Sequence, residues 1–260
     1  MGDSHIMNGI DPRQIKNSFN YGSGEESYIQ TYYKIKNIVE IQNFMPEYII
    51  LSIDPSSFSS FRATKINNEE YWTKYLDYYE IAAILENNSI VYGKITGKYF
   101  SYTGECYVFM KYIFSRRKER AEIFKGYKPK FEDLSLQKNI DKTCKDRAYL
   151  YLNHRNQFDE GLKIYFNKIL KFCETNKIKI ILIKMPLSES YIKYVETLID
   201  IEDNYNEIIN LTSDVTCVYK IIDYQNIFFR DNSKFQNPDH LNDKGALELS
   251  KLINQELYSE

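Results

Sequence analysis

Ile178-Lys179-Ile180-Ile181-Leu182-Ile183 is a nearly continuous apolar run that ends at Lys184-Met185-Pro186. A strand written without polar alternation belongs in a sheet covered by helices on both faces. The flanking sequence agrees. Before it, Phe158, Leu162, Tyr165, Ile169 and Phe172 recur at helical spacing and mark an amphipathic helix. After it, Tyr191, Val195 and Leu198 predict another helix and Val218 to Ile222 a further strand. Leu249, Leu252 and Ile253 then line one face of a terminal helix. This alternation predicts an α/β fold, a three-layer α/β/α sandwich of flavodoxin-like type around a central parallel sheet. Ligand sites in such sheets lie at the carboxyl ends of the strands.

Toward the amino terminus, Tyr48 to Ile53 is a β-rich apolar run closed by Asp54-Pro55. Asn17 to Tyr21 reads as a short strand, followed by Gly22-Ser23-Gly24. Ser23 and Glu26 have capping-box spacing, and Tyr28, Tyr32, Ile35 and Val39 follow on one face of the helix this predicts. Together they make a strand, helix, strand unit. The stretch from about 58 to 155 breaks the alternation and is expected to form an insertion or cap within a single domain, 1–260. It holds helical pieces around Tyr78 to Leu85 and Tyr107 to Phe114. Its basic run, Arg116-Arg117-Lys118 with Arg120, Lys125, Lys128 and Lys130, reads as a solvated surface ahead of an anion-binding patch.

Bulk properties narrow the function. With 43% hydrophobic and 27% charged residues among 260, the composition is that of an ordinary globular protein. A formal net charge of −2 gives no strong pull toward nucleic acid or anionic lipid. The four cysteines, Cys106, Cys144, Cys173 and Cys217, form no CxxC pair, so neither a metal site nor a disulfide framework is indicated. They are expected to sit reduced in the core. No apolar run reaches the roughly 18 residues of a membrane span.

The residues with catalytic character lie near the two ends. Met1-Gly2-Asp3-Ser4-His5 offers a serine beside a small residue, where backbone can approach a substrate. Asn237-Pro238-Asp239-His240-Leu241-Asn242 offers a histidine in a polar loop entering the last helix. An acyl-transfer serine needs a base within hydrogen-bond reach, a group fixing that base's tautomer, and donors for the oxyanion. Arg62 and His154 are set aside as pocket residues.

Gly2-Asp3-Ser4, then Asn20-Tyr21-Gly22-Ser23-Gly24, then Asp239-His240-Leu241-Asn242 resemble, in their order, the signature motifs of the SGNH (GDSL-like) hydrolase and acyltransferase superfamily. Gly9-Ile10-Asp11-Pro12 with Ser18-Phe19-Asn20 is also similar to bacterial members linked to surface-polysaccharide modification. The resemblance implies Ser4 as nucleophile, His240 as general base, and the amides of Ser4 and Gly24 as oxyanion donors. Gly22 competes with Gly24, and glycines after a strand also simply supply turn geometry. It implies the SGNH variant of the sandwich, with no cofactor or metal, and an ester substrate such as an O-acetyl group on a cell-surface carbohydrate. Location is then extracytoplasmic or membrane-associated. Because the nucleophile of such folds usually follows the first core strand, a strand and a membrane anchor are expected upstream of Met1.

Two positions depart from the family pattern. The aspartate commonly found three residues before the histidine is Asn237 here, so either Asp239 or Asn237 orients His240, with Asp239 placed ahead. The asparagine usual after the third strand has no counterpart; Ser52, Asp54 and Ser56 occupy that region, and Asp54 is assigned to capping or substrate contact. His5 is divided between substrate contact and helix start. Both departures keep open a second function, a decayed relative that binds or assembles glycan. A Rossmann-type nucleotide binder is disfavoured because Gly22-Ser23-Gly24 lacks the third glycine.

Overall fold

The computed structural model describes residues 1–63, 124–152 and 158–258. The chain opens directly on a helix, α1 (Ser4–Gly9), capped by Asp3, whose side chain accepts from the His5 amide. Helix α2 (Tyr28–Lys36) runs on into a π-turn, Asn37–Ile41, and leads to strand β1 (Tyr48–Ile53). A short helix α3 (Ser60–Ala63) follows, then α4 (Ile140–Leu152) and α5 (Glu160–Thr175). Strand β2 (Lys179–Lys184) precedes α6 (Glu189–Val195) and α7 (Ile201–Asn210), and β3 (Val218–Asp223) comes next. A small hairpin of β4 (Phe235–Asn237) and β5 (His240–Leu241) feeds the terminal helix α8 (Asp243–Tyr258).

β1, β2 and β3 form a parallel sheet in that order, with Leu51 opposite Leu182 and Leu182 opposite Ile221. Helices flank it. Along β2 the side chains alternate between two apolar clusters, as the two-residue strand period requires. Ile180 and Leu182 join Leu51, Ile53, Phe166 and Ile169, whereas Ile181 and Ile183 join Ile6, Ile10, Leu249 and Ile253. All four β2 residues are fully buried, which is why this strand carries no polar alternation.

Two local expectations change. Asn17 to Tyr21 is irregular rather than a strand: Asn17 has a left-handed φ of 53° and Phe19 is exposed. Asn20 is instead committed to a buried bracket, its amide donating to the Lys125 carbonyl and its side-chain Nδ2 to the carbonyls of Ile6 and Ile10. The cap of α2 falls at Ser27, not Ser23, because Gln30 returns the bond to the Ser27 amide at 2.6 Å. Glu26 is meanwhile drawn into a buried ion pair with Lys34. Within the stretch set apart as an insertion, α4 buries Cys144, Ala148 and Leu152 in the same core as the sheet. Neither α4 nor α7 was singled out by periodicity. The predicted pieces at Tyr78 to Leu85 and Tyr107 to Phe114, the run Arg116 to Arg120, Cys106 and His154 lie outside the described residues.

Cys144, Cys173 and Cys217 are free and buried. Among the described residues, no helix is long and apolar enough to cross a membrane.

The backbone around Met1 to Gly2 lies along the outer edge of β1, where the Met1 nitrogen donates to the Ile50 carbonyl at 2.9 Å. Ser23 donates to the Gly2 carbonyl at 2.9 Å, and Gly22 presses on the backbone of Met7 in α1. An added Cβ at Gly22 would stand 2.5 Å from the Met7 nitrogen, and backbone cannot step aside as a side chain does. Gly22→Ala is therefore expected to lower stability by about 2 kcal/mol, in the range of overpacking changes, read as a reduced urea midpoint with unchanged slope.

Candidate active site

The site forms where α1, the turn after β1 and the β4–β5 hairpin meet at the carboxyl end of the sheet. Ser4 is the first residue of α1 and half-buried. The amides of a first helical turn have no intrahelical acceptor, so the serine stands among N–H groups not consumed by the helix. The exit of α1 is tied down as well. The Asp11 amide donates to Ser250 Oγ of α8 at 2.7 Å, and Asp11 accepts from Arg13. The Gly9-Ile10-Asp11-Pro12 string thus fastens α1 to the last helix.

On the other side, the β4–β5 turn presents His240. Its amide donates to Asn237 Oδ1 at 3.0 Å, and Ser188 Oγ holds the Pro238 carbonyl at 2.8 Å. Asn242 donates to the Ser233 carbonyl and accepts from the Gly245 amide, joining the hairpin to the start of α8.

Ser4 Oγ lies 2.6 Å from His240 Nε2, across 236 positions of sequence. For Nε2 to receive a proton, Nδ1 must already carry one. Nδ1–H has Asn237 Oδ1 at 3.1 Å, and Asp239 Oδ2 follows at 3.3 Å. Both candidates reach the ring, and the shorter contact belongs to the asparagine. Asp239 is turned toward Arg147 of α4, which donates to both of its carboxylate oxygens and also stands 3.2 Å from His240 Nδ1. Burial opposes ionisation of Asp239, but the adjoining His240 and the Arg147 guanidinium hold its carboxyl well below the usual range.

Of the two roles open to His5, the structure gives it the helix start. It belongs to the first turn of α1, and its ring lies flat against His240, centroids 4.4 Å apart and planes within 3°. Its Nδ1 hydrogen-bonds to Asp3 Oδ2 at 3.0 Å. Asp54 Oδ2 is 3.7 Å from the same nitrogen. Asp54 also caps its own turn, accepting from the Ser56 amide and hydroxyl at 2.8 and 2.7 Å, which fulfils the capping alternative.

Arg62, set aside on sequence grounds, is a core member of the site. It is 5% exposed, pairs with Asp3 and reaches Ser56 Oγ at 3.1 Å. Arg147 was missed altogether. The signal for either is weak in sequence, because a lone arginine on a polar helix face looks solvated until the fold brings an acid beneath it.

The glycines divide. The Gly22 amide is spent on Asn20 Oδ1 at 2.8 Å, so its competing role as oxyanion donor is withdrawn. Gly24 sits in open space beside Met7.

Among the described residues, two groups, His5 with Asp239 and His240, and Asp3 with His5 and Asp54, bring donor atoms close enough for a metal ion. In each the cation is already an arginine, Arg147 on Asp239 and Arg62 on Asp3. Neither known family models nor curated proteins match this chain.

Removing the guanidinium leaves Asp239, 1% exposed, without its counter-charge. Arg147→Met is expected to destabilise the protein by about 2 kcal/mol, toward the lower end for a broken buried pair because the arginine is partly exposed. Chemical denaturation at pH 7 measures it, and an unchanged midpoint rules out the counter-ion role.

Proposed function

We propose that this protein is a serine-dependent esterase or O-acyltransferase acting through an acyl-enzyme, with Ser4 as nucleophile and His240 as general base. The observation that carries the reading is the 2.6 Å contact between Ser4 Oγ and His240 Nε2. A half-buried hydroxyl against a buried imidazole whose far nitrogen is held by an amide oxygen is the arrangement nucleophilic acyl transfer needs.

In this reading Ser4 Oγ attacks the ester carbonyl while His240 Nε2 takes its proton. The oxyanion accepts from the Ser4 amide at the start of α1, and the Gly24 amide is the second donor proposed. Collapse of the tetrahedral species breaks the ester bond; His240 returns the proton to the departing alcohol, and the acyl group stays on Ser4. Water completes an esterase cycle, and a second hydroxyl completes a transferase cycle. The choice of an O-acetyl group on a surface carbohydrate, with an extracytoplasmic or membrane-associated setting, follows the motif resemblance to SGNH enzymes alone. So does the finer fold assignment, a three-layer α/β/α sandwich, which the alternation of β2 side chains between two apolar clusters supports.

Burial lowers the His240 pKa below its ordinary 6.5, and His5 and Arg147 lower it further while Asp239 opposes them. The base form is then already present at pH 7. A fluorophosphonate is expected to label Ser4, with a rate that is flat above pH 7 and falls only below about pH 6.5. Ser4→Ala abolishes labelling and p-nitrophenyl acetate hydrolysis, and His240→Gln cuts both by about a thousandfold or more. Folded wild-type protein that takes no label overturns the reading in favour of a glycan-binding relative, which the neutral Asn237 behind His240 would suit.

A further inference from the structure

We propose that His5 is a positioning residue for the Ser4–His240 pair: a second, charged imidazole laid flat on His240 that fixes its ring plane and keeps it in the proton-accepting form. This rests on the assignment of Ser4 as nucleophile. His5 follows that serine directly, so one helical turn delivers the hydroxyl to one edge of His240 and a parallel ring to its face.

The charge of His5 follows from its surroundings. Three buried carboxyl groups converge here: Asp3 on the same helix, Asp54 from the turn after β1, and Asp239 from the β4–β5 hairpin. Two guanidinium groups answer them, Arg62 from α3 on Asp3 and Asp54, and Arg147 from α4 on Asp239. Among the described residues no third arginine or lysine pairs with these carboxyls, and His5 is the group in place to supply the third positive charge. Its Nδ1 lies 3.0 Å from Asp3 and 3.7 Å from Asp54, and its Nε2 is 3.8 Å from Asp239. That Nε2 is buried without a hydrogen-bond partner. As an N–H it directs positive charge toward the Asp239 carboxylate; as a bare lone pair it would face a carboxylate oxygen. Burial alone would drive the proton off, but Asp3, with Asp54 and Asp239 behind it, raises the His5 pKa to about 9.

Two stacked imidazolium rings repel, whereas an imidazolium on a neutral imidazole does not. Among the described residues, the groups facing His240 are Asp239 and Asn237 from its own hairpin, Arg147 from α4, and Ser4 and His5 from α1. Asp239 favours a charged His240; Arg147 and His5 oppose it. With His5 protonated, the balance leaves His240 free to accept the serine proton at neutral pH.

The test is a histidine titration by NMR on the full chain, with the fluorophosphonate labelling rate measured over the same pH range. Only three histidines are present, His5, His154 and His240, so single His→Gln variants assign the signals. In wild type, His5 is expected to stay protonated until about pH 9 while His240 titrates below 6.5. In His5→Asn, the His240 midpoint and the acid limb of labelling move up together by a pH unit or more, and the plateau rate falls. If His5→Asn does not fold, His5→Gln serves: it too removes the charged ring and is expected to raise the His240 midpoint. A neutral His5 at pH 7 in wild type, or a His240 midpoint that stays put in the folded variants, overturns the proposal. Wild-type protein that is not labelled overturns the nucleophile assignment along with it. Labelled protein whose acid limb does not move in His5→Asn overturns the role of His5 alone.

Discussion

Arg62 and Asp3 form an ion pair with about one-twentieth of either side chain open to water, and the order of the amino-terminal turn depends on it. Asp3 has two oxygens and divides them. Oδ1 caps α1 by accepting from the His5 amide, and Oδ2 takes both Arg62 and the His5 ring. A carboxyl buried this deeply would ordinarily resist ionisation, but Arg62 foremost, then His5, bring it down well below the usual carboxylate range. The helix start, the ring plane of His5 and the direction of Ser4 are consequently set by one charged group. Breaking such a pair leaves an uncompensated buried charge, which costs far more than an exposed ion pair contributes.

The opposite wall of the site is built on a different plan. There the imidazole is steered by a neutral amide and the carboxylate is handed to an arginine. Asn237 Oδ1 accepts from the His240 amide and lies against Nδ1, fixing backbone and ring with one oxygen. An amide oxygen in this place accepts from a protonated Nδ1 but stabilises the imidazolium less than a carboxylate does. Asp239 stands near enough to contribute field, yet its charge is shared with Arg147. In the proposed acyl transfer, His240 is thus unprotonated at neutral pH and holds the serine proton only weakly, which favours its return to the departing alcohol.

Much of the sheet was legible because its strands obey a one-dimensional rule. Ile178 to Ile183 and Tyr48 to Ile53 are apolar and β-branched where the structure buries them, and α5 and α8 carry apolar residues at the helical period. The amino-terminal third was less legible. Asn17 to Tyr21 has the composition of a strand, but Asn20 bonds to Ile6, Ile10 and Lys125, contacts made at distances in sequence that no local propensity senses. The cap of α2 moved from Ser23 to Ser27 for a similar reason: Glu26 was claimed by Lys34, and Gln30 was left to close the box.

The sequence by itself determined the α/β character, since periodicity is a property of neighbours along the chain. It also contained the serine and the histidine, whose flanking residues are local. Only the tertiary structure decided which charges face one another. Arg62 and Arg147 look like solvated residues until α3 and α4 carry them onto Asp3 and Asp239, and His5 is a helix-start residue until the β4–β5 hairpin lays His240 on its face. Coulomb interaction and desolvation act through space, so the protonation states on which the site relies cannot be read along the chain.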